Sequence, residues 1–240
     1  MPFVVSFFLF SMPKHIGIVA CSAEGAALCY RTVCAEAPAI MGTHMHPEVS
    51  MHTFPLGDYM ECIYKNDWEG VGLLMVSSAR KLAQIGADFA ICPDNTIHQA
   101  FPTVERESPL PWLHIAETVA DEADRRGFRH LGITGTKYLM EGPVYAEKLA
   151  SRTIAHTIPD EGQRVRINQI IFDELVNGQF IAESRAYFSG VIDDLKAKGC
   201  AAVVLGCTEI PLLVSDADSS LPTLDSTRLL ARAALRRAVR

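Results

Sequence analysis

Ile91-Cys92-Pro93-Asp94-Asn95-Thr96-Ile97-His98 decides the fold, because it has a counterpart 113 positions later, Val204-Leu205-Gly206-Cys207-Thr208-Glu209-Ile210. Overlaid without a gap, Gly86 falls on Gly199, Ile91 on Val204, Asp94 on Cys207, and Asn95-Thr96 on Thr208-Glu209. Each segment is an apolar run that stops in a cluster of small polar and ionisable side chains. A buried parallel strand of an α/β protein ends in this way at a ligand site.

A second match lies upstream of the first. Lys14-His15-Ile16-Gly17-Ile18-Val19-Ala20 reads as a first buried strand, ending in the turn Cys21-Ser22-Ala23-Glu24-Gly25-Ala26 and a helix from about 26 to 35. His130, Gly132 and Ile133 follow His15, Gly17 and Ile18 by 115 positions, which puts Thr136 in the place of Cys21. Two ordered matches at nearly one offset predict duplicated α/β halves with parallel sheets, facing each other across a pseudo-two-fold axis. The phosphate-binding patterns GxGxxG and GxxxxGK are both missing.

Between these anchors, 48–53 reads as a strand, 54–58 as a loop, and 68–84 as a helix with Val71, Leu74, Met75 and Leu82 at helical spacing, stopped by Gly86. Ser108-Pro109-Leu110-Pro111 marks a lobe boundary. The expected organisation is an extension over 1–12, an N-terminal lobe over 13–110 and a C-terminal lobe over 111–221. A final helix, about 222–240 and capped at Asp225-Ser226, packs back on the first lobe. In the second lobe, 151–158 reads as a strand and 164–175 and 182–198 as helices.

The 240 residues suffice for two such lobes. A content of 49% hydrophobic and 21% charged residues is that of a globular protein, and a net charge of −6 argues against a nucleic-acid partner. Seven cysteines without a CxxC pair read as reduced thiols of a cytoplasmic protein. No apolar run reaches the roughly 18–20 residues of a membrane helix. Phe3 to Phe10 lacks the basic flank and cleavage site of an export signal. His44, His46, His52 and Glu48 form no recognisable ligand pattern, so no metal is expected.

If the two halves face each other, Asp94 and Cys207 approach one ligand from opposite sides. One group can then remove an α-proton while the other delivers a proton from behind. A thiol suits this role when a helix N-terminus lowers its pKa from about 8.5, and Cys207 stands just before an expected helix. A carboxyl such as Asp94, near 3.9 when free, needs burial to raise it. Cys92 lies two residues earlier and on an extended strand would share the orientation of Asp94, but Pro93 interrupts that geometry.

Gly206-Cys207-Thr208-Glu209 resembles the second-cysteine motif of the aspartate/glutamate racemase family, and Asn95-Thr96-Ile97-His98 resembles the tail of its first motif, Cys-Asn-Thr-x-His. The similarity continues through 113–116, 135–141 and 167–175. The resemblance implies two flavodoxin-like lobes with the active site between them, a two-base racemisation of aspartate, glutamate or a similar carboxylate, no cofactor, and a homodimer. The chain departs from the pattern in placing Asp94 where the family has its first catalytic cysteine. By the same resemblance, Asn95, Thr96, Thr136, Thr208 and Glu209 hold the substrate, as do His52 and Asp58 after the second strand, and Arg166 stands where a substrate-binding lysine is expected. Two alternatives remain: a single-cysteine decarboxylase of malonate-type acids, and a carboxylate-binding protein without activity.

Overall fold

The computed structural model describes residues 12–240; the extension at 1–11 lies outside the described residues. The chain forms two four-stranded sheets, parallel throughout, with the same strand order. The first is built from β1 (Ile16–Ala20), β2 (Val49–Thr53), β3 (Phe89–Ile91) and β4 (Trp112–Leu113), in the order β2-β1-β3-β4. It carries α1 (Ala23–Glu36), α2 (Pro38–Met41), α3 (Leu56–Tyr64), α4 (Trp68–Gln84) and α5 (Phe101–Glu107). After α6 (Ile115–Arg125), the second sheet uses β5 (His130–Thr134), β6 (Ala155–Thr157), β7 (Ala202–Leu205) and β8 (Thr223–Asp225), in the order β6-β5-β7-β8. Its helices are α7 (Lys137–Glu141), α8 (Val144–Ala150), α9 (Glu161–Gln169), α10 (Ala182–Ala197) and α11 (Ile210–Leu213), and α12 (Ser226–Ala238) closes the chain.

The register shows the duplication at the level of single residues. Ile18 stands opposite Ile91 in the first sheet, and their overlay partners Ile133 and Val204 stand opposite each other in the second. His15 Nε2 lies 2.9 Å from Ser50 Oγ, and its counterpart His130 Nε2 lies 2.7 Å from Thr157 Oγ1. Gly86 and Gly199 end the helices ahead of β3 and β7 at φ +91° and +90°, a left-handed conformation that a Cβ resists.

The first sheet takes its fourth strand, Trp112–Leu113, from beyond the proline run, and the second takes Thr223–Asp225 from beyond position 221. The segment 54–58 is not a loop: Pro55 precedes a helix, α3, that begins at Leu56. The strand expected over 151–158 is confined to β6. Asp225 caps α12 by accepting from Arg228 N–H at 2.9 Å. That helix buries Leu230, Ala231, Ala234 and Ala238 against Ile16, Ile18 and Cys29 of the first half, and Arg232 forks onto Glu36 at 2.8–3.0 Å.

The halves meet at the C-terminal ends of their strands. Ser22 Oγ and Thr208 Oγ1 are 3.0 Å apart, and Thr96 Oγ1 and Thr136 Oγ1 are 2.9 Å apart. The Asn95 amide donates to Ser226 Oγ at 2.9 Å and accepts from Tyr145 OH at 2.7 Å. Gly25, in the first turn of α1, leaves no room for a side chain: a Cβ there would lie 2.3 Å from Thr208 Cγ2. Gly25→Ala therefore forces α1 off Thr208. Thermal unfolding should report a loss of about 1–3 kcal/mol, or a Tm lowered by several degrees in a chain of this size.

Candidate active site

The strand ends of both sheets open into one cleft of about 470 Å³, counting space open to solvent. From the first half, Cys21 and Ser22 follow β1, and Asp94, Thr96 and Ile97 follow β3. From the second, Thr136 and Tyr138 follow β5, and Cys207 and Glu209 follow β7. Leu56, Met60 and Ile63 of α3 and Ile171, Phe172 and Val176 complete the lining. Leu56, Met60 and Ile63 share a helix face by their spacing. Ile171 and Phe172 lie in a π-turn, Ile170–Glu174, that continues α9; such turns shift the side chains beyond them and recur at functional sites. An outer cleft of about 1220 Å³ shares Cys21, Ser22, Leu56, Val176 and Glu209 with the inner one, so these five residues stand between the two.

Asp94 sits in the turn between β3 and the 3-10 helix Thr96–Ala100. Thr96 N–H donates to its Oδ1 at 3.1 Å. His98 fixes the same turn. Ile115 N–H donates to His98 Nε2 at 3.4 Å, so the ring proton is on Nδ1 and is donated to the Asp94 carbonyl at 2.7 Å. Burial holds this imidazole neutral, with its pKa lowered to about 4. Burial, and then the nearby Glu209 carboxyl, raise the Asp94 carboxyl to about 6, against the opposing effect of the Ile97 and Thr96 N–H groups and the Cys21 thiol. Cys92 is fully buried in the core, outside the cleft lining.

Cys207 donates its thiol proton to Glu209 Oε2 at 3.0 Å, and Thr208 Oγ1 donates to the same oxygen at 2.7 Å. The expected lowering of the Cys207 pKa by a helix N-terminus is not met. The following helix, α11, has only four residues. Burial first, then the Glu209 carboxyl, hold the thiol well above its usual range. Burial and then Asp94 do the same to Cys21, which was not among the expected site residues although the internal overlay sets it on Thr136. Each half thus presents one thiol beside one carboxyl group: Cys21 by Asp94, and Cys207 by Glu209.

Of the other residues expected to touch substrate, Thr96, Thr136 and Glu209 line the cleft. Asn95 and Thr208 lie behind it, their side chains engaged in the contacts between the halves. His52, Asp58 and Arg166 lie outside the lining. His52 turns to α4, contacting Ser78 Oγ and Lys81 Nζ at 2.9 Å each, because alternate residues of β2 face opposite ways. Asp58 is on the exposed side of α3. Arg166 is 47% exposed and faces Glu174 at 3.6 Å. Among the described residues, no group of three His, Cys, Asp or Glu side chains could hold a metal ion.

Two α/β lobes thus enclose one cleft with ionisable groups from both halves in its lining. Residues 16–234 match the family model for Asp/Glu/Hydantoin racemase, and the chain belongs to that family. It is therefore an enzyme of the isomerase class. A crystal structure of a candidate Asp/Glu racemase from Yersinia pestis superposes with a TM-score of 0.86 at 30% identity, covering 95% of this chain and all of the other. An aspartate racemase homologue from Pyrococcus horikoshii OT3 gives 0.82 at 26% identity over 95% of this chain and all of the other. The broad specificity amino-acid racemase RacX of Bacillus subtilis is 20% identical over 187 residues, which are 78% of this chain and 80% of the relative.

The raised Asp94 pKa has a stability consequence with a definite sign. An acid whose folded pKa of about 6 lies above its unfolded value of 3.8 costs the fold stability progressively as pH rises from about 3.8 to about 6, and the whole penalty is present above that. Asp94→Asn removes that penalty. Its Tm relative to the parent should be several degrees higher at pH 8 than at pH 4, because near pH 4 the carboxyl is largely protonated in the folded and unfolded chain alike and the penalty has hardly begun. Equal differences at the two pH values would contradict the raised pKa.

Proposed function

We propose that the protein is a cofactor-independent amino-acid racemase in which Asp94 and Cys207 form an unlike acid/base pair on opposite faces of the α-carbon. The observation that supports this reading is that both residues line one cleft, each from the end of an equivalent strand in a different sheet. The Asp94 carboxylate takes the α-proton and becomes the acid. The electron pair of the broken C–H bond moves into the substrate's α-carboxylate. Cys207 delivers its thiol proton to the opposite face and is left as thiolate, giving the inverted product. Above pH 6 the resting site has Asp94 ionised and Cys207 protonated, which is the pair this direction requires. The other direction begins from protonated Asp94 and the Cys207 thiolate.

The α-carboxylate has a binding position at the start of α1. That 14-residue helix begins at Ala23, directly after the cleft residues Cys21 and Ser22, and its positive end favours an anion. The carboxyl groups of Asp94 and Glu209 and the hydroxyls of Thr96 and Thr136 suit the substrate's amino group. Aspartate and glutamate, the substrates the family resemblance implies, need in addition a cation for the side-chain carboxylate. Among the described residues, the cleft lining contains no Lys, Arg or His.

Deuterium uptake at the α-carbon tests the pair. Cys207→Ala should abolish racemisation while leaving exchange of the one enantiomer that Asp94 deprotonates, and Asp94→Asn should leave exchange of the other. Undiminished racemisation in either variant would refute the assignment. In the parent, kcat/KM should fall about tenfold per pH unit below 6 as Asp94 is protonated. A rate independent of pH between 5 and 7 would contradict that role.

A further inference from the structure

We infer that the site takes amino acids with uncharged, apolar side chains rather than acidic ones, an inference that rests on the racemase reading above. The cleft divides by chemistry. Its floor, formed by the ends of β1, β3, β5 and β7, carries the thiols, carboxyl groups and hydroxyls. Its far wall is Leu56, Met60 and Ile63 from one half and Ile171, Phe172 and Val176 from the other. A substrate whose α-carbon lies between Asp94 and Cys207, with its α-carboxylate at α1, directs its side chain towards that wall.

Among the described residues, no Lys, Arg or His in the cleft lining meets a side-chain carboxylate in this position. Cations on or beside the elements that wall the cleft are engaged elsewhere: Lys65 with Glu61 at 2.7 Å, Arg164 with Glu141 at 2.8 Å and Arg166 with Glu174 at 3.6 Å. Lys137 lies over the Tyr138 ring, 5.1 Å from its centroid. The ionisable groups that do line the cleft are the thiols of Cys21 and Cys207, the Tyr138 phenol and the carboxyl groups of Asp94 and Glu209. An acidic side chain would give up its water to face an apolar wall and two further carboxyl groups, which is unfavourable on both counts. A branched or thioether side chain loses only apolar surface to water and fills the space between α3 and the π-turn.

The test uses the full chain and both enantiomers of leucine, methionine, phenylalanine, aspartate and glutamate. It reads α-deuterium exchange and ligand-induced shifts of Tm side by side. The expected result is a kcat/KM for the best apolar amino acid at least about 100-fold above that for either acid. Along alanine, 2-aminobutyrate, norvaline and norleucine it should rise about fourfold per methylene, which corresponds to the ~0.8 kcal/mol of burying a CH₂ group. Phe172→Arg, with Met60→Lys as a second variant in case the first does not fold, should reduce this preference and raise turnover of aspartate or glutamate. Faster exchange of aspartate or glutamate by the parent would overturn this inference and leave the racemase reading standing. Stabilisation by the apolar amino acids without any exchange would uphold the inference and overturn the racemase reading. Neither exchange nor stabilisation by any of the five would overturn both.

Discussion

Two hydrogen bonds between hydroxyl groups, Thr96 to Thr136 and Ser22 to Thr208, hold the strand ends of one sheet against those of the other. Everything chemical in the molecule depends on that face-to-face contact. A single parallel sheet offers a ligand site at its C-terminal edge and leaves the opposite side open to water. Two such edges in contact enclose the ligand and bring side chains to both of its faces. The tolerance is narrow, because Gly25 has no room for even a methyl group beside Thr208. Asn95, bonded to Tyr145 and Ser226, ties the Asp94 turn to elements of the second half, so the Asp94 turn is held from both sides.

Within that symmetric frame the chemistry is unsymmetric. The strand β3 delivers a carboxyl and the equivalent strand β7 a thiol. Burial acts on both in the same direction, favouring the protonated form, but from different starting points. It brings Asp94 up to about 6, within reach of a base at neutral pH. It moves Cys207 further from ionisation, which suits the acid role proposed for the thiol. The adjacent Glu209 orients that thiol by accepting its proton in a hydrogen bond at 3.0 Å. A pair of two thiols would face the same burial cost on both sides; in the proposed mechanism a carboxyl on one side separates the roles of base and acid before substrate arrives.

The scaffold was legible in the sequence because buried parallel strands are apolar on both faces and end abruptly, which makes an internal repeat visible. The overlay of Ile91 on Val204 and Ile18 on Ile133 is reproduced as strand register, and the helix read over 68–84 has those bounds. The positions of Asp94 and Cys207, just past the ends of equivalent strands, were legible in the same way. The apolar wall was not. Gly57-Asp58 after Pro55 resembles a turn, although Leu56, Met60 and Ile63 keep helical spacing, and a π-turn leaves no mark in a sequence. The environment of Cys207 was also hidden, since a short α11 and a buried Glu209 are consequences of packing. Arg166, His52 and Asp58 were placed by resemblance alone; side-chain direction on α9, β2 and α3 takes them to Glu174, to α4 and to solvent.

The central claim is that unlike groups act on opposite faces of one carbon. The most direct measurement is the early fate of solvent hydrogen: each enantiomer of a turned-over amino acid is incubated in D₂O, and deuterium is followed separately in recovered substrate and in product. A two-group mechanism places deuterium in the inverted product from the first turnovers, while recovered substrate keeps its original hydrogen. Deuterium appearing equally fast in recovered substrate and in product would mean that one group serves both faces, and would contradict the account.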